Sequence, residues 1–375
     1  MGKLFAESTS KMTNIYLVTV VDSISATSMP VNEFVLYRQR NGYPYRQGLI
    51  VCSREKDDKV NIPESIATYY VGNNVKEFRA CLKELKEKCA SKRESLVCHL
   101  HGQKSALLFY RASVGLHLRK HTIYTVHSTY SSRDWKYRMS SCICSLLAEY
   151  ANCVSYSAYA EYAKWVKWLK GYKMMAIQNG VDYDRIKSAT IELPHHQETA
   201  DMHKMVCVGR MIPIKNQQFL VKLMKHLPDT QLILIGKEDE KIKCLARDEG
   251  VEDRVVMTGL LPRDDVFRRL NECGIYVSAS LVEGMPVSVL EAMSMGLIPV
   301  LSDIAPHEEV AKGCKLIHTT QLVEKEWVKK IKEYQSLIEI ERRNLSSFIV
   351  KSIKDKFSLE MMHKQYNNIY KQLAE

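Results

Sequence analysis

Two carboxylates, Glu283 and Glu291, and two cations, Arg210 and Lys215, are spaced as a site for an anionic, hydroxyl-rich ligand would require. The glutamates are separated by seven residues and follow an apolar, strand-like run. The cations follow another such run about seventy residues earlier. Carboxylates accept bonds from sugar hydroxyls, and Arg and Lys offer a planar fork and a compact charge to phosphate oxygens. The combination indicates a sugar nucleotide bound at the carboxyl ends of strands in one α/β domain.

The elements that must position these groups are short apolar strands alternating with helices. Strands are predicted at 14–21, 48–52, 95–100, 122–126 and 153–156 in the first half, and at 206–209, 231–236, 254–257, 274–277 and 298–301 in the second. Helix-length segments such as 75–92 and 133–150 lie between them. This alternation predicts α/β architecture with parallel, doubly wound sheets, hence two Rossmann-like domains in tandem.

The polar, turn-prone stretch 194–201 separates the two series of strands. We predict an N-terminal Rossmann-like domain over 1–193 that binds the acceptor and a C-terminal Rossmann-like domain over 194–352 that binds the nucleotide sugar. A final helix over 353–375 is expected to return toward the first domain. A chain of 375 residues is long enough for two cores of this kind.

The net charge of +11 is concentrated in the first half of the chain. Residues 1–190 carry 28 Lys and Arg against 16 Asp and Glu, whereas residues 191–375 carry 26 against 27. Such asymmetry is typical of a domain with an acidic partner, whether an anionic membrane surface, a phosphorylated acceptor or nucleic acid. A solvated basic surface is the alternative, and net charge alone does not separate the two.

Several classes of protein are disfavoured by composition. No apolar run reaches the roughly 20 residues of a membrane-spanning helix, and the first residues lack the apolar core of a secretory signal. Eleven cysteines without a C-x-x-C pair predict reduced, mostly buried thiols. The Gly-x-Gly-x-x-Gly fingerprint of nicotinamide enzymes is absent. We therefore expect a cytoplasmic protein, able to bind peripherally to the cytoplasmic face of a membrane.

The ordered motifs of the second half resemble the donor domain of retaining GT-B glycosyltransferases of the family 4 type, the glycosyl transferases group 1. The match covers most of residues 205–310, and its positions are Gly209-Arg210, Lys215, Gly236, Thr258-Gly259, Glu283-Gly-Met-Pro-Val-Ser-Val-Leu-Glu291 and Gly296-Leu-Ile-Pro299. The resemblance implies transfer of a hexose or amino sugar from a nucleoside diphosphate sugar, and we expect that sugar to be UDP-linked. The acceptor would be a glycan, a lipid-linked or another hydroxyl compound in surface polysaccharide or glycoconjugate synthesis.

The resemblance also implies roles for individual residues. Arg210 and Lys215 would stabilise the leaving diphosphate, helped by backbone amides of a helix beginning near 286–288. Glu283 would bind the transferred sugar and Glu291 the ribose hydroxyls. The other donor-binding residues implied are Gly209, Gly236, Gly259, Gly284, Met285, Pro286, Val287, Ser288 and Glu309. For Glu309, capping of the following helix is the alternative.

In the first half the resemblance rests on Val126-His127-Ser128, Tyr156-Ser157 and Asn179-Gly-Val-Asp182. It implies that His127 contacts the transferred sugar or the acceptor, and His101 competes for that role. The loop 22–30 departs from the family because it lacks the paired glycines usual there. Asp182-Tyr-Asp184 falls in a turn away from the donor motifs, so neither a metal ion nor a cofactor is expected, and the sugar nucleotide is a substrate.

Two further alternatives remain at the level of the sequence. A GT-B epimerase or phosphorylase shares the fold, and a non-catalytic basic scaffold that binds lipid or nucleic acid would share the charge; nucleic acid is not expected as a partner if the resemblance holds. The helix predicted over 157–173 interleaves aromatic residues with four lysines. We predict that its apolar stripe packs in the core, with attachment to a membrane interface as the alternative.

Overall fold

The computed structural model describes residues 14–25, 30–55, 60–194, 196 and 200–375. The described chain divides into two compact units, one within Met1–Thr125, Ile143–Ala151 and Tyr366–Glu375 and the other formed by Val126–Cys142 and Asn152–Gln365. The domain limits expected at 193 and 352 remain predictions. Residues 1–13, positions 26–29 of the glycine-free loop, and positions 195 and 197–199 of the expected linker lie outside the described residues.

The first sheet has seven strands in the described chain. They are β1 Ile15–Val21, β2 Arg46–Val51, β3 Ala67–Tyr70, β4 Ser95–His101, β5 Thr122–Val126, β6 Tyr150–Cys153 and β7 Met174–Ala176, in the order β3-β2-β1-β4-β5-β6-β7. Strand β1 is buried along its whole length and pairs in parallel with β2 and β4. A continuous β-branched run of this kind suits a central parallel strand covered on both faces.

Two of the helices that follow these strands, Val75–Lys92 and Trp135–Leu147, lie close to the predicted limits of 75–92 and 133–150. The described helices up to residue 190 are a π-helix at Pro30–Leu36 and α-helices at Tyr37–Arg40, Val75–Lys92, Gln103–Ala112, Trp135–Leu147, Tyr156–Glu161, Lys164–Lys170 and Tyr183–Thr190. Helix Val75–Lys92 begins where Asn74 accepts bonds from the amides of Lys76 and Glu77, which satisfies two of its free N–H groups.

The second sheet has six described strands, all paired in parallel. They are β8 Asp201–Val208, β9 Gln231–Ile235, β10 Val255–Met257, β11 Cys273–Ser278, β12 Ile298–Ser302 and β13 Thr319–Thr320, in the order β10-β9-β8-β11-β12-β13. The chain winds outward from β8 in one direction and from β11 in the other. The connections after β8 and β11 therefore diverge, and this switch point opens a crevice at the carboxyl ends of the two strands.

Helices and a large apolar core surround the second sheet. The α-helices described after residue 200 are Gln217–Leu223, Glu240–Asp248, Arg263–Asn271, Val287–Met295, Ala305–Gly313, Glu324–Gln335, Glu339–Lys356 and Leu359–Ala374. Helix Val287–Met295 packs between the sheet and helix Glu339–Lys356, and its residues 289–294 are all buried. A carboxylate on this helix, at Glu291, consequently needs a partner of its own.

The predicted architecture of two parallel, doubly wound sheets is confirmed. Three local predictions were wrong. Residues 154–156 do not continue a strand, because Ser155 caps the helix that begins at Tyr156. The helix expected over 157–173 is two short helices and a turn, and the helix expected over 353–375 is broken at Phe357 and Ser358. Of the eleven cysteines, all free, every one except Cys244 is buried, as predicted.

Candidate active site

Lys215 and Glu283 meet at the switch point of the second sheet. Lys215 follows β8 and Glu283 follows β11, and the lysine Nζ lies 2.5 Å from Glu283 Oε1. The two loops are also joined through their backbones, because Leu281 N–H donates to Ile214 O at 2.8 Å. Both side chains are largely shielded from solvent, at 20% and 11% exposure. Two residues that the sequence assigned to phosphate and sugar are thus direct neighbours.

A chain of buried hydroxyls reaches the same carboxylate oxygen of Glu283 that Lys215 binds. Ser280 Oγ donates to Glu283 Oε1 at 2.7 Å, and Ser302 Oγ donates to the carbonyl of Ser280 at 2.6 Å. The ring of His307 lies between Ser302 and Ser278, with Nδ1 3.0 Å from Ser302 Oγ and Nε2 3.3 Å from Ser278 Oγ. This arrangement fixes Glu283 from the ends of β11 and β12.

The hydrogen-bond pattern determines the tautomer of His307. Because Ser302 Oγ gives its proton to Ser280 O, it must accept from His307, so the proton lies on Nδ1. The ring is fully buried, and burial lowers the pKa of His307 to about 4 although the Glu283 carboxylate acts in the opposite direction. His307 is therefore neutral near pH 7, with Nε2 as the acceptor from Ser278 Oγ–H.

Glu291 is paired with an arginine that the sequence did not point to. Arg263 Nη2 donates to Glu291 Oε1, and both side chains are largely buried. The pairing compensates the cost of placing a carboxylate on a buried helix face. Arg263 stands in the first turn of helix Arg263–Asn271. A cation there opposes the helix dipole, which is a sequence signal that this arginine serves another purpose.

Glycines at the ends of neighbouring strands let the backbones approach closely. A Cβ on Gly236 would lie 2.1 Å from the carbonyl oxygen of Gly209, whereas a Cβ on Gly209 would make only ordinary contacts with Lys215. Gly236 N–H donates to Gly259 O, and Gly259 has a φ of +73°. The three predicted glycines therefore lie side by side on three neighbouring backbone segments, at the carboxyl ends of β8, β9 and β10.

The segment 284–288 leads into the helix predicted there, which runs from Val287 to Met295. Met285 is buried, and its carbonyl accepts from the N–H of Val287. Ser288 Oγ accepts from the phenol of Tyr276, whose pKa burial raises well above its ordinary value. The hydroxyl of Ser288 is thus held toward β11. That the backbone N–H of Ser288 binds an anion stays a prediction.

His127 lies beside the same segment. A Cβ on Gly284 would come within 2.3 Å of the His127 carbonyl oxygen, and Ser155 Oγ donates to the carbonyl of Gly284 at 2.7 Å. Loss of solvation lowers the pKa of His127 to about 4, so the imidazole is neutral near pH 7. His101, by contrast, ends β4 and is buried against the rings of His99 and Phe34.

Glu309 binds backbone amides of another helix. Its carboxylate accepts from the N–H groups of Tyr156 and Ser157, at 2.9 and 2.7 Å, and from the side-chain amide of Gln178. These bonds cap the start of helix Tyr156–Glu161, not the helix Ala305–Gly313 that carries Glu309. The role proposed for Glu309 in donor binding stays a prediction.

The remaining sequence candidates lie as follows. Arg210 is exposed, and its guanidinium has no ion-pair partner within the described residues, so it is available to a phosphate. Asp182 caps helix Tyr183–Thr190 through Arg185 N–H. No cluster of three or more metal-ligating side chains occurs in the described part of the chain. Asp22, which opens the glycine-free loop, accepts from Ser105 N–H at 2.7 Å.

Sequence reasoning missed the partners of the two glutamates. These are Ser278, Ser280, Ser302, His307 and Arg263, with Ser155 beside Gly284. The serines share one signal, since each stands at or just after the end of a strand. That signal is weak, because strand ends are commonly followed by small polar residues in turns.

Residues 191–347 match the family model described as glycosyl transferases group 1. The chain is similar to that family over most of its second half. Lys215, Glu283 and Glu291, with their partners, all lie inside the matched region. The resemblance inferred from the motifs is thereby confirmed at the level of this family.

Curated proteins that are similar to this chain differ in the sugar nucleotide that their names give. GDP-mannose:cellobiosyl-diphosphopolyprenol alpha-mannosyltransferase of Xanthomonas campestris is 23% identical over 231 residues, covering 58% of this chain and 59% of that protein. UDP-Gal:alpha-D-GlcNAc-diphosphoundecaprenol alpha-1,3-galactosyltransferase of Escherichia coli is 27% identical over 146 residues, covering 35% and 37%. The matches therefore span less than two thirds of either relative.

Solved structures show the fold over nearly the whole chain. Sucrose-phosphate synthase from Thermosynechococcus elongatus superposes with a TM-score of 0.77 at 14% identity, covering 96% of this chain and 99% of that one. At this identity the likeness concerns the fold alone. The chain has the GT-B fold.

Proposed function

We propose that the chain is a retaining, metal-independent glycosyltransferase that moves a hexose or amino sugar from a nucleoside diphosphate sugar to a hydroxyl acceptor. The observation that carries this proposal is the contact of Lys215 with Glu283 at the switch point of a parallel sheet, beside the buried pair of Glu291 and Arg263. Cations and carboxylates so placed match the phosphates and the hydroxyls of one extended ligand.

Transfer breaks the bond between the anomeric carbon and the diphosphate oxygen and forms a bond to the acceptor oxygen, whose proton passes to an oxygen of the leaving diphosphate. Negative charge develops on the leaving diphosphate, so its stabilisation is the main task of the protein. Arg210 is exposed and Lys215 borders the crevice, and each can bind phosphate oxygens. Glu283, held by Ser280, accepts bonds from sugar hydroxyls and so orients the anomeric carbon.

The names of the relatives support finer parts of the proposal. One name begins with GDP-mannose and the other with UDP-Gal. We propose a UDP-linked sugar as the donor of this chain, and binding of a GDP-linked sugar instead would contradict this. Both names contain a diphospho-polyprenol acceptor, which favours a lipid-linked acceptor in surface polysaccharide or glycoconjugate synthesis here too. An anionic membrane surface is then a natural partner for the basic first half.

The test separates the two glutamates by ligand. Glu291→Gln is expected to weaken UDP and UDP-sugar alike, because both carry the ribose. Glu283→Gln is expected to leave UDP affinity near normal and to lower transfer, because its contact needs the sugar. A lost bond to a charged group is worth about 1.5–3 kcal/mol, or about tenfold to a hundredfold. Calorimetry with UDP, GDP and their sugars, and initial rates, measure both effects.

Exposed Glu360→Gln is the matched control and should behave as the wild type. Equal loss of UDP affinity in both variants would show that the assignment of the glutamates is wrong. Full activity in both would remove the glycosyltransferase proposal. Transfer in the presence of a chelator tests metal independence, and the anomeric configuration of the product, read from its proton coupling, tests retention.

A further inference from the structure

The segment from Lys164 to Lys173 presents an apolar face to solvent. Trp168, Tyr172, Leu169 and Trp165 are 82%, 77%, 56% and 45% exposed, while Val166 is the buried residue of helix Lys164–Lys170. The sequence predicted that this apolar stripe packs in the core, and that prediction was wrong. Soluble proteins rarely expose a contiguous patch of large apolar side chains without a binding role.

Three of the four exposed side chains lie on one side of helix Lys164–Lys170, and the fourth follows the helix directly. In a helix, residues spaced by three, four and seven positions lie on the same side. Trp165, Trp168 and Leu169 have this spacing in helix Lys164–Lys170, and exposed Tyr172 follows them in the separate turn Gly171–Lys173, because the backbone leaves the helical conformation at Gly171. We call these four residues the aromatic face. The helix is amphipathic, and its larger apolar side faces solvent instead of the core.

Lysines surround the aromatic face without any acid among them. Lys164 is exposed, Lys170 and Lys173 are partly exposed, and no Asp or Glu occurs between residues 162 and 181. Lys167 has a different task, because its Nζ donates to the carbonyls of Tyr159 and Ala160 at 2.9 Å each. The surface is therefore apolar at its centre and positive at its edge.

Local packing holds the aromatic face in place. Val166 is fully buried, and Tyr162, just before the helix, is buried with its phenol 2.9 Å from Ser141 Oγ. The bonds of Lys167 tie the helix to the end of helix Tyr156–Glu161. Because the backbone is already fixed, binding through this face does not require a segment to fold first.

We infer that the aromatic face docks onto an anionic phospholipid bilayer. Trp and Tyr favour the boundary between lipid tails and headgroups, and lysines at that depth attract anionic lipid phosphates. The helix lies in the interface instead of crossing it, and none of the helices in the described part of the chain is long and apolar enough to span a membrane. The inference rests on the proposed function only in that a lipid-linked acceptor gives the docking its purpose.

The experiment uses the full chain and vesicles of phosphatidylcholine with or without phosphatidylglycerol. We expect sedimentation with the anionic vesicles only, weakening as salt is raised because exposed charges are screened within about 8 Å at physiological ionic strength. The double variant Trp165→Ala/Trp168→Ala should bind anionic vesicles at least about tenfold more weakly, from the apolar area lost. The double variant Lys164→Glu/Lys170→Glu should bind anionic vesicles more weakly than the wild type at low salt. At high salt, its binding should be similar to that of the wild type.

Two controls match these variants in chemistry. Trp135→Ala removes another exposed tryptophan, and Lys351→Glu/Lys354→Glu reverses two exposed lysines on helix Glu339–Lys356. Both should bind as the wild type does. Equal binding to neutral vesicles, or unchanged binding of the Trp165→Ala/Trp168→Ala variant, would overturn the inference. A concentration-dependent dimer that this variant abolishes, without vesicle binding, would overturn it in favour of a second copy.

Activity distinguishes this inference from the proposed function. With the aromatic face removed, transfer to an acceptor embedded in anionic vesicles should fall while affinity for UDP stays unchanged. If the protein bound vesicles but showed no transfer activity, the proposed function would be contradicted. The inference that the aromatic face binds membranes would still stand.

Discussion

Glu283 is held by a chain of polar residues that extends behind it into the core. Ser280 donates to its carboxylate, Ser302 orients the carbonyl of Ser280, and His307 accepts and donates within the same chain of bonds. A buried polar network that is satisfied at every member keeps one geometry, because any rearrangement leaves a donor or acceptor without a partner. His307 is in this sense a positioning residue for Glu283.

Replacing His307 with alanine should lower kcat about tenfold and leave UDP affinity near the wild-type value, because one lost buried hydrogen bond costs about 1–3 kcal/mol. His307→Asn, whose amide N–H can reach Ser302 as Nδ1–H does, should restore part of kcat. Initial rates and calorimetry with UDP measure both quantities. If UDP affinity and kcat fell together in His307→Ala and asparagine restored neither, His307 would have a general structural role only.

At the scale of elements, strands that end beside one another place the site. Strands β8 and β11 are neighbours in the sheet although about seventy residues separate them in sequence, and this brings Lys215 to Glu283. Close approach of backbones at these ends requires glycine at Gly236 but not at Gly209. Two glycines of the same motif set therefore differ in what a methyl group would cost.

Gly236→Ala should destabilise the protein by about 1–3 kcal/mol, the usual cost of forcing extra volume into a packed position. The new Cβ would lie 2.1 Å from a backbone oxygen that cannot move without the strand. Gly209→Ala, with its nearest atom at 3.7 Å, is the control and should stay close to the wild type. Thermal unfolding of both variants checks this, and equal melting temperatures would contradict the packing argument.

At the scale of the whole molecule, histidines that lose solvation on folding make stability depend on pH. Burial lowers the pKa of His127 and of His307 to about 4 and also lowers that of His196. The folded protein then binds these protons less tightly than the unfolded chain, whose histidines titrate near about 6.5. Stability from these groups is complete above that pH and is lost as the pH falls toward about 4.

The melting temperature should therefore fall on acidification from about pH 7 to about pH 5, with protons taken up on unfolding. His307→Asn removes one such group, so its melting temperature should change less over this interval. His203→Gln, which alters an exposed histidine, should follow the wild type. Parallel curves for His307→Asn and the wild type would show that His307 does not contribute to the loss.

The fold followed from the sequence because its signals are local. Runs such as Ile15–Val21 and Gln231–Ile235 are strands by composition, and their alternation with helices leaves parallel, doubly wound sheets as the architecture. The motif positions Lys215, Glu283 and Glu291 were also readable in sequence, because their order and spacing along the chain carry the family resemblance. The two-residue strand Thr319–Thr320 could not be predicted from the sequence, because two residues are too few to show a strand pattern.

Tertiary structure decided which groups meet and which face solvent. Arg263 pairs with Glu291 across 28 residues, and His307 reaches Ser278 across 29, distances at which sequence spacing says nothing about contact. The aromatic face was misassigned for the same reason. An amphipathic pattern fixes that Trp168 and Leu169 share one side of a helix, but only the elements packed around the helix decide whether that side points into the core or out of it.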